Sequence, residues 1–257
     1  MSELRQGGQG VYDPTGKVAV VAGGSGGIGA ATARRLALAG ATVVVGYHRD
    51  AAGAEAVVKG LPGDGHWAVA LPVDDSAAIA AAVQLVGDRH GAVDVLVNSA
   101  GITRRIPHTD LNGLDDATFD EIVAVNVRGA YALARAFAPL LRASGDGVLV
   151  NISSVSALTG KGSNIAYCAA KAALETMGVS LARVLAPEVR VLAISPAAVD
   201  TGFVPGRDHA AVAEQARSTP LRILVDPDDV AVSVVGAITH FRLATGTTFL
   251  IDGGIHL

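Results

Sequence analysis

The chain has 257 residues, of which 50% are hydrophobic and 17% are charged, with a mean hydropathy of +0.42. This composition supports a large buried core and excludes disorder of the whole chain. A net charge of -4 argues against a surface dedicated to nucleic acid or to anionic membranes. No apolar run reaches the roughly 18 residues of a membrane-spanning helix. The one cysteine, Cys168, forms no internal disulfide, and the N-terminus lacks the pattern of a secretory signal, so we expect a cytoplasmic protein.

Residues 1–15 are polar and glycine-rich, and we expect them to form a flexible tail. From residue 16 onward, short β-branched runs alternate with alanine-rich stretches of helical periodicity. The runs predict strands at residues 18–22, 42–46, 66–70, 93–97, 147–152, 189–194 and 247–251. The alanine-rich stretches predict helices at residues 27–39, 51–59, 76–89, 116–142, 165–186 and 228–238.

The predicted strands are apolar throughout rather than alternating in polarity. This pattern is typical of a parallel sheet covered by helices on both faces. We therefore expect one doubly wound α/β domain over residues 16–257. Residues 195–225 interrupt the alternation and contain three prolines, which predicts a lid or substrate loop over about residues 198–222.

A cluster of glycines lies between the first predicted strand and the first predicted helix. Glycines at this point let the backbone approach a pyrophosphate, and the start of the helix supplies free N–H donors. Two spacings fit: Gly24, Gly26 and Gly29 match G-x-G-x-x-G, whereas Gly23, Gly27 and Gly29 match G-x-x-x-G-x-G. The local pattern does not decide between them, and an ordinary glycine-rich turn is the alternative reading. The candidate phosphate loop reads Gly23-Gly24-Ser25-Gly26-Gly27-Ile28-Gly29.

The end of the second strand usually contacts the adenosine ribose, where a carboxylate accepts from the 2′-hydroxyl. Here it reads Tyr47-His48-Arg49, with no carboxylate until Asp50. His48 and Arg49 suit a 2′-phosphate, so the residues favour NADP(H) over NAD(H), although Arg49 also suits a solvated helix entry. Asp74, after the third strand, is placed either to accept from the adenine amino group or to cap the next helix.

Tyr167 and Lys171 are four residues apart on a predicted helix, so both side chains lie on one face. A phenol transfers protons poorly near neutrality, but a nearby cation favours the phenolate and lowers its pKa. We therefore expect Lys171 to bring the pKa of Tyr167 toward neutrality and to reach a ribose hydroxyl. Taken alone, this pair also occurs on many ordinary helix surfaces.

Ser154 lies just beyond the fifth predicted strand, at the edge where doubly wound sheets bind ligands. Its hydroxyl is a candidate to bind a substrate carbonyl, although Ser153 and Ser156 are close enough to leave the choice open, and the serines also suit a loop that satisfies backbone groups. Asn126 is a polar residue inside an apolar helical stretch. It either holds a water for proton relay or bonds back to its own helix.

Together these motifs resemble the classical short-chain dehydrogenase/reductase family over nearly all of the chain from residue 17. Gly23, Gly27 and Gly29 resemble its cofactor loop, and residues 98–101 resemble its Asn-Asn-Ala-Gly segment. The catalytic tetrad of the family is matched by Asn126, Ser154, Tyr167 and Lys171. Family contacts to the cofactor are further matched by Asn98, Ala100, Gly101, Pro196 and Thr201. The sequence departs from the family pattern at Ala22, Ser99, Leu192 and Ala197, which puts local loop geometry in doubt.

The resemblance implies a seven-stranded Rossmann sheet of order 3-2-1-4-5-6-7 and a homotetramer or homodimer. It implies hydride transfer between a nicotinamide cofactor and a small carbonyl or secondary alcohol substrate, without a metal. Within the family we expect a ketone reductase of the 3-oxoacyl type. A dehydrogenase of a small secondary alcohol, sugar or steroid-like substrate is the alternative, and an inactive nucleotide sensor on the same fold is a further one.

Overall fold

The structure is a computed structural model that describes residues 10–257. Residues 1–9 of the predicted tail lie outside the described residues. The rest of that tail is not free, because Tyr12 is 3% exposed and packs against the core. Its backbone N–H donates to the Thr239 carbonyl at 2.8 Å, and its ring lies 5.9 Å from the Arg190 guanidinium carbon. The packed chain therefore begins at least four residues before the predicted boundary at residue 16.

In the described part of the chain, seven strands form one parallel sheet in the order β3-β2-β1-β4-β5-β6-β7, as expected. Strands of this kind are buried on both faces, which explains their uninterrupted apolar sequences. The strands are β1 Val18–Ala22, β2 Thr42–Tyr47, β3 Trp67–Ala70, β4 Val95–Asn98, β5 Gly147–Ile152, β6 Val189–Pro196 and β7 Thr247–Ile251.

Helices cover both faces of the sheet. One apolar core lies on each face of the sheet: the helices α1 (Gly27–Leu38), α2 (Ala51–Lys59) and α9 (Pro227–His240) cover one face, and α3 (Ser76–His90), α5 (Ala130–Ala143) and α7 (Ile165–Leu185) cover the other. The other helices of the described residues are α4 Asp116–Val123, α6 Ser156–Thr159 and α8 His209–Arg217. Within residues 10–257, no helix is both long enough and apolar enough to span a membrane.

Two local features differ from the predicted elements. The single helix expected over residues 116–142 is divided by a π-helical segment, Ala124–Gly129, which contains Asn126. Such widened turns occur frequently at functional sites. The lid region contains a helix, α8, that was not predicted because prolines flank it. Its start is capped by Asp208, which accepts from the Ala211 N–H.

The parallel topology brings the candidate site together. All carboxyl ends lie along one edge of the sheet, and β1 and β4 are neighbours although β2 and β3 separate them in sequence. In doubly wound sheets, the crevice at such a switch point binds ligands. The glycine loop follows β1 and residues 99–101 follow β4, so both border this crevice. The lid is anchored at its two ends, where Val199 pairs with Val225 in an isolated bridge.

Candidate active site

A cavity of about 1090 Å³ opens along the carboxyl edge of the sheet. The glycine loop, the ends of β2 and β3, the segments after β4 and β5, helix α7 and the lid all line it. It is large for a ligand site, since typical pockets have roughly 300–1,000 Å³. The predicted site residues that line it are Gly23, Ser25, Gly26, Gly27, Ile28, His48, Arg49, Asp74, Ala100, Gly101, Ser154, Tyr167, Lys171, Pro196 and Thr201.

Four predicted residues do not line the cavity. Gly29 is buried in the first turn of α1, and Tyr47 packs its side chain against the core instead of contacting the cavity, because it ends β2 on the α1 face. Asn98 is buried at the end of β4, where its Nδ2 donates to Asn151 Oδ1 at 3.2 Å. Asn126 lies behind Gly101: a Cβ on that glycine would come within 2.7 Å of Asn126 Oδ1.

The geometry of the glycine loop decides between its two spacings. Gly23 and Gly27 have positive φ values of 72° and 52°, which favour glycine, and a Cβ on Gly29 would lie only 2.1 Å from the Gly23 carbonyl oxygen. By contrast, a Cβ on Gly26 would meet nothing within 4 Å, and Gly26 has extended backbone. The loop therefore requires glycine at Gly23, Gly27 and Gly29, the G-x-x-x-G-x-G spacing.

The loop also fits a pyrophosphate. Helix α1 starts at Gly27, and its N-cap Gly26 provides no side chain to satisfy the free N–H groups of the first turn. These donors and the positive end of the helix dipole face the cavity edge. Asn98 Oδ1, at the end of β4, and Thr32 Oγ1, on α1, are buried without a hydrogen-bond partner, but neither residue lines the cavity. The arrangement suits a dinucleotide whose phosphates lie at this loop.

One end of the cavity, beside β2 and β3, is lined by His48, Arg49 and Asp74. His48 Nε2 lies 3.9 Å from Asp74 Oδ1. The helix that follows Asp74 is capped by its neighbour Asp75 and not by Asp74. Asp50 caps α2 by accepting from the Gly53 N–H, and Asp75 caps α3 by accepting from two N–H groups. Asp74 therefore does not have the capping role that the sequence left open, and Asp50, which does cap a helix, does not line the cavity.

Tyr167 and Lys171 share one face of α7, as their spacing predicts. Asn164 caps this helix by accepting from the Tyr167 N–H at 2.7 Å. Lys171 Nζ donates to the Ile152 carbonyl at 2.8 Å and lies 5.6 Å from the centre of the Tyr167 ring. Ser154 is 8% exposed, and its Oγ accepts from the Ser156 N–H at 3.2 Å. Three candidate catalytic side chains thus meet on one wall of the cavity.

The expected effect of Lys171 on Tyr167 is wrong in this structure. Burial raises the pKa of Tyr167 to about 12, and the groups that oppose the rise are the Ser154 hydroxyl and the Arg207 charge. Burial also lowers the pKa of Lys171 to about 8, since desolvation penalises its charged form. The phenol is therefore protonated at neutral pH, as a proton donor must be.

Asn126 adopts the helix-bonding role that the sequence left open, and the water-holding role stays a prediction. Its Nδ2 donates to the carbonyls of Ile122 at 2.8 Å and Ile102 at 2.9 Å, so it bonds back to its own helix and fastens the segment after β4. Its Oδ1 is buried without a partner. This leaves a buried acceptor for a water beside Gly101.

Glu175 was not among the site residues predicted from the sequence. It lies one turn beyond Lys171 on α7, accepts a hydrogen bond from the buried Ser195 hydroxyl and raises the pKa of Lys171 by its negative charge. The signal was available, because Lys171 and Glu175 are four residues apart and such residues are neighbours on a helix. The contact of Glu175 with Ser195 on β6 could not be predicted in this way, because Ser195 is distant in sequence.

We expect Glu175→Gln to shift the alkaline limb of the kcat/KM profile to lower pH. The amide keeps an acceptor for Ser195 but removes the negative charge, so the pKa of Lys171 falls further below its value of about 8. Because Lys171 loses its charge as pH rises through its pKa, the loss then begins at lower pH. Glu55→Gln, on the exposed surface of α2, is the control. An unchanged alkaline limb in Glu175→Gln would contradict the role of this carboxylate.

The lid covers the wall that carries Tyr167. The Phe203 ring lies 5.9 Å from the Tyr167 ring, and Thr201 reaches the glycine loop, where its Cγ2 would contact a Cβ on Gly27 at 3.4 Å. At the base of the lid, the Pro196 carbonyl accepts from the Val155 N–H at 3.0 Å. The lid thus connects the candidate phosphate and proton-donor regions across one cavity.

Comparisons with known proteins identify the class. Residues 22–256 match a family model described as "Enoyl-(Acyl carrier protein) reductase", one of the short-chain dehydrogenase/reductase models. The chain is 37% identical over 246 residues to a Streptomyces violaceoruber protein assigned as a ketoacyl reductase of granaticin polyketide synthase, covering 95% of this chain and 98% of that one. The chain therefore belongs to the short-chain dehydrogenase/reductase family and is an oxidoreductase.

Solved structures agree with this membership. A short-chain dehydrogenase from Burkholderia cenocepacia in complex with NADP superposes with a TM-score of 0.85 at 35% identity, covering 95% of this chain and 99% of that one. A 3-ketoacyl-(acyl-carrier-protein) reductase from Brucella melitensis complexed with NADH gives a TM-score of 0.85 at 33% identity, with 95% and 100% coverage. The first of these relatives is in complex with NADP and the second with NADH, so both bind a nicotinamide cofactor.

Proposed function

We propose that the protein reduces a ketone of the 3-oxoacyl type with NADPH. The observation that carries this proposal is that Ser154, Tyr167 and Lys171 share one cavity with a loop built for a pyrophosphate. Relatives named as ketoacyl reductases at 33% and 37% identity support the choice of a ketone. The fit of the loop, with its free N–H donors at the start of α1, supports the dinucleotide.

The proposed roles follow from the chemistry of each side chain. When bound, the nicotinamide supplies the hydride that reaches the carbonyl carbon. Tyr167 donates its phenolic proton to the oxygen that becomes the alkoxide, and Ser154 orients and polarises that oxygen by hydrogen bonding. Lys171 holds a ribose hydroxyl and places a positive charge beside the phenol. Asn126 keeps a water in position through its unpaired Oδ1, and this water returns a proton toward Lys171 and Tyr167.

The adenosine end of the cavity favours NADPH over NADH. His48 and Arg49 line it and both are exposed, so that a 2′-phosphate would compete for His48 with Asp74, which is 3.9 Å away. The nearest carboxylate in sequence, Asp50, caps α2 by accepting from the Gly53 N–H and does not line the cavity. An arginine fork matches a phosphate in geometry and charge.

Turnover tests both parts of the proposal. We expect oxidation of NADPH, followed at the nicotinamide absorbance band, with acetoacetate or its N-acetylcysteamine thioester, and slower oxidation with a ketose and a steroid ketone. We expect kcat/KM to be about tenfold or more lower with NADH, because the phosphate contacts are lost. A preference for NADH would overturn the cofactor choice. Cofactor binding without turnover of any ketone would instead indicate a nucleotide sensor.

We also propose that the protein assembles as a homotetramer. Support comes from apolar side chains left exposed near the C-terminal end of the chain, where Phe241 is 52% exposed, Leu243 92% and Leu257 89%. Large apolar side chains that are exposed on one chain are commonly buried at an interface between subunits. Sedimentation equilibrium at micromolar concentration is expected to give four times the mass of the chain. A monomer at all concentrations would contradict the assembly.

A further inference from the structure

Two neighbouring arginines line the cavity. Arg105 follows β4 and Arg207 belongs to the lid, and both line the cavity. The Arg105 Nη1 donates to the carbonyl of Gly206 at 3.0 Å, so the two arginines are brought next to each other although about a hundred residues separate them in sequence.

Neither arginine is neutralised by the protein. In the described part of the chain, neither forms an ion pair with a carboxylate within salt-bridge distance. Arg207 Nη2 donates to the Val199 carbonyl at 2.9 Å, but its Nε is buried without any hydrogen-bond partner. A buried donor without a partner is costly, which suggests that a bound ligand completes it.

The acidic groups around these arginines are occupied elsewhere. Asp200 is close enough to raise the pKa of Arg207, but its carboxylate hydrogen-bonds His209. Glu121 lines the cavity but pairs with Arg104 at 2.7 Å. Burial lowers the pKa of Arg207, and the Arg105 charge lowers it further, which shows that the two cations repel each other. An anion between them would relieve both effects.

We propose that the substrate carries a free carboxylate, which Arg207 binds together with Arg105. This inference rests on the proposed ketone reduction and specifies that a 3-oxo acid is preferred over its neutral thioester or ester. An arginine pairs with a carboxylate through two parallel hydrogen bonds, and a partly buried site strengthens them. Arg207 and Tyr167 line the same cavity, so one bound substrate can place its carboxylate at Arg207 and its carbonyl at Tyr167.

Binding and turnover of a matched pair of ketones test this separately from the proposed function. Acetoacetate and methyl acetoacetate differ by one methyl group and one charge. Calorimetric titration is carried out on the protein saturated with NADP⁺, where no reduction takes place. We expect acetoacetate to bind at least about tenfold more tightly than its ester, and we expect Arg207→Gln and Arg105→Gln to reduce this ratio toward one.

Arg217→Gln is the matched control, because Arg217 lies on α8 in the same lid, pairs with Glu214 and does not line the cavity. We expect it to keep the binding ratio of the wild type. Equal binding of the two ketones by the wild type, or an unchanged ratio in Arg207→Gln, would overturn the carboxylate site. Preferential binding of acetoacetate without its reduction by NADPH would leave the carboxylate site standing and overturn the proposed function.

Discussion

Tyr167→Phe is expected to lower kcat by about 10²–10⁴-fold while cofactor affinity stays unchanged. The substitution removes only the hydroxyl, so the ring keeps its packing against Phe203 and its position above Lys171. Since burial raises the pKa of this phenol to about 12, it is protonated at neutral pH, and loss of the hydroxyl removes the proton donor. Steady-state kinetics and titration with NADPH measure the two quantities.

Tyr131→Phe is the matched control for this experiment. Tyr131 lies on α5, is 46% exposed and is outside the cavity, so its hydroxyl is expected to contribute nothing to turnover. Thermal unfolding of both variants checks that the fold is retained. A Tyr167→Phe protein that is folded, binds NADPH and turns over at the wild-type rate would remove Tyr167 from the mechanism.

Gly29→Ala is expected to lower both stability and cofactor affinity. The added Cβ would lie 2.1 Å from the Gly23 carbonyl oxygen and 2.8 Å from its carbon, so the glycine loop and the start of α1 must separate. Overpacking of this kind costs about 1–3 kcal/mol of unfolding free energy. Displaced N–H donors should weaken NADPH binding by about tenfold or more. Urea denaturation and fluorescence titration measure the two effects.

Two other glycines provide controls for the same substitution. Gly26→Ala places its Cβ in open space on extended backbone, and we expect its stability to match the wild type. Gly236→Ala in α9 also meets nothing within 4 Å and should stabilise the protein by roughly 1 kcal/mol, because alanine favours a helix over glycine. If Gly29→Ala proved as stable as Gly26→Ala and bound NADPH normally, the close packing of the loop would have no functional importance.

The sequence by itself determined the features that depend on local spacing. Alternating β-branched and alanine-rich segments predicted the sheet and its helices, and the four-residue spacing of Tyr167 and Lys171 predicted their shared face on α7. The order of the strands and the family membership followed from a resemblance and are confirmed. These properties were readable because backbone periodicity and helix geometry act between residues that are near each other in the chain.

Only the tertiary structure decided the electrostatics and the exact partners. The pKa of Tyr167 rises instead of falling because burial depends on the lid and on the strands packed around α7. The choice of glycine spacing required knowing that Gly29 packs on the Gly23 carbonyl, and the meeting of Arg105 with the lid joins distant parts of the chain. Desolvation and contacts of this kind are properties of the packed molecule, because they arise from groups that only folding brings together.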